Sequence, residues 1–126
     1  MSVSNVGYSF VLPMNRPMMM SANARKHWSA RHRITKYWRH LAHVLAKQSK
    51  IPALAKARIV VTFSFGDQRR RDSANFYPVA KAITDGIVDA GVLVDDSDKY
   101  VEGPDSRRHD PATPMIRVDI LPQDQA

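Results

Sequence analysis

KARIVVTFSFGDQRRRDSANFYPVAKAITDGIVDAGVLVDD, residues 56–96, decides the fold. Its first ten residues are β-branched and aromatic at a density that favours a strand, which Gly66 closes. RRRDSAN (69–75) then leaves the strand as a loop or extension. Asn75 reads as an N-cap, and Pro78 falls in the first helical turn, where its missing N–H costs least. Ala80, Ile83, Ile87 and Ala90 give the following helix its buried stripe, and Gly91 is placed to end it. A short apolar run, Val92–Val94, leads to Asp95 and Asp96.

Outward from this segment the pattern stays mixed. YSFVL (8–12) is a short β-prone run stopped by Pro13, and residues 13–27 read as a loop in which Met18–Met20 are packing filler or a flexible contact. From Trp28 to Lys50, Ile34, Tyr37, Trp38, Leu41, Val44 and Leu45 recur at helical spacing. Arg31, Arg33, Lys36, Arg39, His40, His43 and Lys47 lie between them, so the helix has a basic outer face, and Pro52 marks its end. Trp28, Tyr37 and Trp38 are expected in a core or an interface, and His40 and His43 on the surface. Residues 103–114 read as a polar loop, MIRVDIL (115–121) as a last strand and 122–126 as a tail. The expectation is one α+β domain over residues 1–126, a small mixed sheet packed with two main helices.

Charge is distributed unevenly. The chain carries a formal +7, yet residues 1–66 hold eleven Lys or Arg and no acid, while all twelve acids lie from Asp67 onward. Such a split suits a polyanionic partner and, separately, a site that concentrates carboxylates. With no cysteine, disulfides and thiolate metal sites are excluded, which accords with a reducing cytoplasm. The sequence offers no membrane-length apolar window and no secretory leader pattern, so a cytoplasmic protein is expected.

Arg69, Arg70 and Arg71 stand directly before Asp72. Adjacent like charges repel, so a fold gains little from this order. Phosphate oxygens between the guanidinium groups would relieve it, and the planar fork of Arg grips phosphate in a bidentate way. The carboxylates Asp72, Asp85, Asp89, Asp95 and Asp96 are hard oxygen donors, and a sparse acidic site beside arginines is the form that Mg²⁺ phosphoryl chemistry takes. Lys81 is four residues before Asp85, so it either stabilises phosphate charge or simply pairs with that aspartate. Asp85 and Asp89 also fit a solvated helix face, and Asp95–Asp96 a turn.

The ordered set RRRDSAN, Lys81, Asp85 and DAGVLVDD (89–96) resembles the RusA family of Holliday junction resolvases, most densely over residues 69–96. The resemblance implies a Mg²⁺-dependent endonuclease, with Mn²⁺ as a substitute, acting as a homodimer on four-way DNA junctions in recombination and repair. It needs no organic cofactor and no membrane, and belongs to a bacterial host or a phage. It places metal binding and catalysis on Asp72 and Asp96 and a catalytic role on Lys81, with Asp85 and Asp95 as further candidate ligands. Arg69, Arg70, Arg71, Lys81, Arg31 and Arg33 would contact DNA. Matching Lys81 requires about three extra residues, where Phe76, Tyr77 and Pro78 stand. Where the family motif has Asp-x-Asp-Asn, this chain has Ala74 in place of the second aspartate. Two readings therefore stay open: a nuclease, or a junction-binding protein whose catalytic site is weakened or lost. A basic RNA-associated factor without metal chemistry is a third.

Overall fold

The computed structural model describes residues 7–22, 27–67, 71–109 and 113–123. They form β1 (Tyr8–Leu12), α1 (Trp28–Gln48), β2 (Ala57–Ser64), α2 (Tyr77–Asp89), β3 (Val101–Arg108) and β4 (Met115–Pro122). Short 3₁₀ turns at Arg16–Met18 and Ser73–Phe76 join them. The sheet runs β1-β4-β2-β3. β4 is antiparallel to both β1 and β2, and β3 runs parallel to β2. The chain is thus α+β, a small mixed sheet with two main helices. No helix among the described residues is long and apolar enough to cross a membrane.

Alternation along β2 sets the core. Ala57, Ile59, Val61, Phe63 and Phe65 are buried on one face. The register sets Ile59 opposite Ile120, Val61 opposite Val118 and Phe63 opposite Ile116, while Phe10 and Leu12 of β1 join the same rows. Helix α1 covers them with Ile34, Trp38, Ala42 and Ala46, one residue per turn, and α2 with Val79, Ala80, Ile83 and Ile87. Each fully buried large aliphatic or aromatic side chain in this layer contributes about 1.5–3 kcal/mol.

The helices meet at Gly86. A Cβ there would lie 2.2 Å from the Arg39 carbonyl oxygen, 2.9 Å from the Ala42 Cβ and 3.0 Å from the His43 nitrogen. Only a glycine lets the two backbones approach this closely, and this approach brings Arg39 to the C-terminal half of α2. The small residues of α1, Ala42 and Ala46, form its buried stripe together with Ile34 and Trp38. Tyr37, Leu41 and Leu45 pack only at its margin.

Several expectations need correction. Residues 101–108 are a strand, not the start of a polar loop over 103–114. Composition misleads here because β3 is an edge strand, where charges and proline are tolerated. Arg58 pairs with Glu102 and Val60 with Asp105, so Gly103 and Pro104 bulge opposite Ile59. Gly103 sits at φ 97, with the Ile59 carbonyl 2.7 Å from where a Cβ would stand. Position 122, expected in the tail, closes β4. Helix α1 stops at Gln48, and Lys50 at φ 55 turns the chain away before Pro52. Of the aromatics expected in a core or an interface, Trp38 is fully buried, whereas Trp28 is 74% exposed and outside this core, because the apolar stripe of α1 begins only at Ile34. Met20 is buried, Met18 and Met19 pack against the core, and the Met18 carbonyl accepts from the Trp38 indole at 2.7 Å. The described part of the expected loop, residues 13–22, is anchored through them.

Candidate active site

The chain leaves β2 through Phe65 and Asp67. Asp67 accepts from Arg71 at 2.5 Å and from Arg16 at 3.2 Å, and Arg16 also donates to the Phe65 carbonyl at 2.6 Å. The Arg71 guanidinium lies 4.1 Å from the centre of the Phe65 ring. Arg71, expected on DNA, is thereby held within the fold, whereas Arg69 and Arg70 lie outside the described residues.

Asp72 begins the Ser73–Phe76 turn as its cap, accepting from the Ala74 N–H at 3.1 Å. The expected cap, Asn75, lies inside that turn, and its carbonyl accepts from the Ala22 N–H at 2.6 Å. Aspartate wins the capping role because it stands where the chain is still extended, at ψ 120. The turn inserts Phe76 against Phe63 and Phe65, with ring centres 5.6 and 5.1 Å apart. Tyr77 and Pro78 then open α2. The three residues that lengthen the chain before Lys81 thus lock the loop onto the sheet.

From Tyr77, one face of α2 presents positions 77, 81 and 85, spaced four apart. Lys81 Nζ donates to Asp85 at 2.6 Å and to Asp96 at 2.5 Å. The segment after α2 therefore folds back on the helix, and buried Val92 and Leu93 hold it there. Partial burial alone would depress the Lys81 ammonium, but hydrogen bonds and charge from Asp85 and Asp96 outweigh it and raise its pKa above the ordinary lysine value. The hydrogen bond from Lys81 in turn lowers the Asp96 carboxyl below its usual range. Asp95 accepts from the Ser97 N–H at 2.7 Å, the behaviour of a turn-initiating acid.

Arg39 grips Asp89 in a bidentate pair at 2.6 and 2.9 Å, which raises the guanidinium and lowers the carboxyl. Arg39 also lines a small cleft of 190 Å³ with Asp85, Val88, Asp95 and Asp96. By spacing alone Arg39 belongs with the outer basic residues of α1. Its signal was Gly86, which draws α1 close. Of the α1 arginines expected to meet DNA, Arg33 is exposed and Arg31 is half-buried, both in the first two turns of the helix.

Lys81, Asp85 and Asp96 are thus brought together, with Asp95 at the same cleft. Asp72 does not line that cleft; the carbonyls of its neighbours Arg71 and Ser73 accept from Arg108 and Ser106 of β3. Among the described residues, no three His, Asp or Glu side chains are placed to share one ion. The four carboxylates Asp72, Asp85, Asp95 and Asp96 therefore do not gather around a single point. Asp85 and Asp96 are two hard carboxylates that share one cation, the Lys81 ammonium, and their number matches the one or two protein carboxylates that Mg²⁺ takes. Comparison with known protein families and with characterised proteins finds no match.

Proposed function

We propose that the protein is a structure-selective DNA endonuclease that resolves four-way junctions by metal-dependent phosphodiester hydrolysis. The observation that carries this reading is the junction of Lys81 with Asp85 and Asp96. Two hard carboxylates and a held ammonium lie beside Arg39 on a chain of net charge +7. The hydrogen bond from Lys81 favours the carboxylate form of Asp96, the form in which a hard oxygen donor can ligate a cation. Its ammonium, one contact away, can turn to a phosphate oxygen and offset developing charge. Mg²⁺ or Mn²⁺ held by Asp96 with Asp85, or by Asp72, would supply Lewis acidity toward the phosphate. Arg69, Arg70, Arg31 and Arg33 would track the backbone of branched DNA. Paired nicks across a junction need two sites, hence a twofold homodimer in the bacterial or phage-infected cytoplasm.

One observation favours the junction-binding alternative. Asp85 and Asp96 each spend an oxygen on Lys81, no third carboxylate among the described residues is placed to share an ion with them, and position 74 is alanine. A labelled synthetic four-way junction, incubated with Mg²⁺ or Mn²⁺, separates the two. Paired nicks that disappear in Asp96→Asn while binding persists support the nuclease. Tight binding with no nicks in either metal supports the binding protein, and equal affinity for junction and linear duplex sinks both.

A further inference from the structure

A second cleft, of 610 Å³, opens at the N-terminus of α2. It is lined by Ala74, Tyr77, Pro104, Asp105, Ser106 and Arg107. Resting on the reading that the partner is DNA, we infer that this cleft is a stacking subsite for one unstacked nucleobase of the bound strand.

Tyr77 supplies the first argument. It is the first residue of α2, yet the buried stripe of that helix begins at Val79, and 45% of Tyr77 is exposed. The fold makes little use of that ring face, whereas a base can stack on it. Arg107 supplies the second. Its side chain is 59% exposed and rests only 3.5 Å from Asp105, so a planar cation stands in the same cleft as the aromatic ring. A guanidinium stacks on bases as well as pairing with phosphate. Asp105 adds a hydrogen-bond acceptor at the base edge and is fixed by Arg58 at 2.5 Å.

The walls are pre-set rather than formed on binding. Ser106 Oγ donates to the Ser73 carbonyl at 2.5 Å, and Arg108 donates to the Arg71 carbonyl at 3.1 Å. These bonds stitch β3 to the segment that carries Ala74 and Tyr77. Ala74 gains a role here: its methyl group leaves room that a longer side chain would fill. The cleft also has the right neighbours. The Asp72 carboxylate is bonded to the backbone of Ala74, and Lys81 lies one turn from Tyr77 on the same helical face, a rise of about 6 Å.

The test uses the full chain with a single-stranded oligonucleotide containing 2-aminopurine, a duplex of equal length, and a junction with 2-aminopurine at the branch. Stacking in the wild type quenches the probe. Tyr77→Leu loses the quench and binds the single strand roughly 5- to 150-fold more weakly, while duplex affinity stays unchanged. Tyr77→Phe retains both quench and affinity, and Ala74→Leu, with Tyr77 intact, loses them by filling the cleft. Circular dichroism melts confirm that each variant is folded. An unaltered quench in Tyr77→Leu, or equal weakening on single strand and duplex, overturns the subsite. Nicking is scored separately. A Tyr77-dependent quench without nicks leaves the subsite standing and removes the nuclease, and nicking with a Tyr77-independent quench does the reverse.

Discussion

Gly86→Ala sets two calculable effects against each other. Alanine is the better helix former by about 0.8–1.0 kcal/mol, so an isolated α2 would gain from the change. The added methyl group, however, would stand 2.2 Å from the Arg39 carbonyl oxygen and 2.9 Å from the Ala42 Cβ. Neither obstacle is a flexible side-chain tip. Relief requires α1 and α2 to separate by on the order of an ångström, which loosens packing among Trp38, Ala42, Ile83 and Ile87, all fully or nearly fully buried. Overpacking of this kind costs about 1–3 kcal/mol, and a backbone obstacle puts the cost at the upper end. We therefore expect a net loss of about 2 kcal/mol, which for a domain of this size lowers Tm by roughly 6–10 °C. Urea titration should show a reduced midpoint at unchanged slope. Because the same crossing delivers Arg39 to Asp89, junction nicking should also fall at temperatures well below the melt. A Tm equal to or above that of the wild type would refute the close crossing and, with it, the placement of Arg39 beside the acidic cleft.

Asp96→Asn should abolish nicking on the synthetic junction while leaving junction affinity at or above the wild-type level, since a negative charge is removed from the DNA-facing cleft. Stability should respond to acid in a defined window, read from thermal melts between pH 7 and 2. Asp89 and Asp96 have folded-state pKa values below the ordinary 3.8, so their contribution is present above that value and is lost as pH falls through the lowered ones. Asp89→Asn with Asp96→Asn should lower stability at pH 7 and flatten the decline below pH 4. If about six phosphates are contacted, junction binding should fall with a slope near −5 in log K against log salt, and a flat response would count against a polyanionic partner.

The central unit was legible because each of its signals is local. A β-branched run, a proline in a first helical turn and a stripe at 80, 83 and 87 do not depend on distant residues. β3 was hidden because its hydrogen bonds come from β2, more than forty residues away, while its own side chains are those of a solvated edge. Asp72 as cap and Asn75 within the turn differ by a 3₁₀ step that composition does not encode. At the site, the pairing of Lys81 with Asp85 follows from spacing alone, whereas Asp96 joins them only because Val92 and Leu93 bury and reverse the chain. Arg39 and Tyr77 were overlooked for a similar reason. The relevance of each depends on what another element places opposite it.

The segregation of charge along the chain receives a partial structural explanation that sharpens the case for a polyanion. At least four cations of the acid-free half pair with acids of the other half: Arg16 with Asp67, Arg39 with Asp89, Lys56 with Glu102 and Arg58 with Asp105. Opposite charges placed in separate halves thus serve long-range contacts within the fold. Pairing one cation with one acid leaves the net charge untouched, so the excess of seven persists however many such pairs form. The two uses of charge differ in their response to salt. Pairs as exposed as Arg16–Asp67 and Arg58–Asp105 are weak in water, so screening them costs the fold little. Counterion release on DNA acts over every phosphate contacted and falls steeply between 50 and 200 mM salt, by about a factor of 10³ for six contacts. In this range the melting temperature should therefore stay nearly constant while junction affinity collapses. A parallel decline of both would assign the basic excess to the fold and leave the nuclease reading without its electrostatic support.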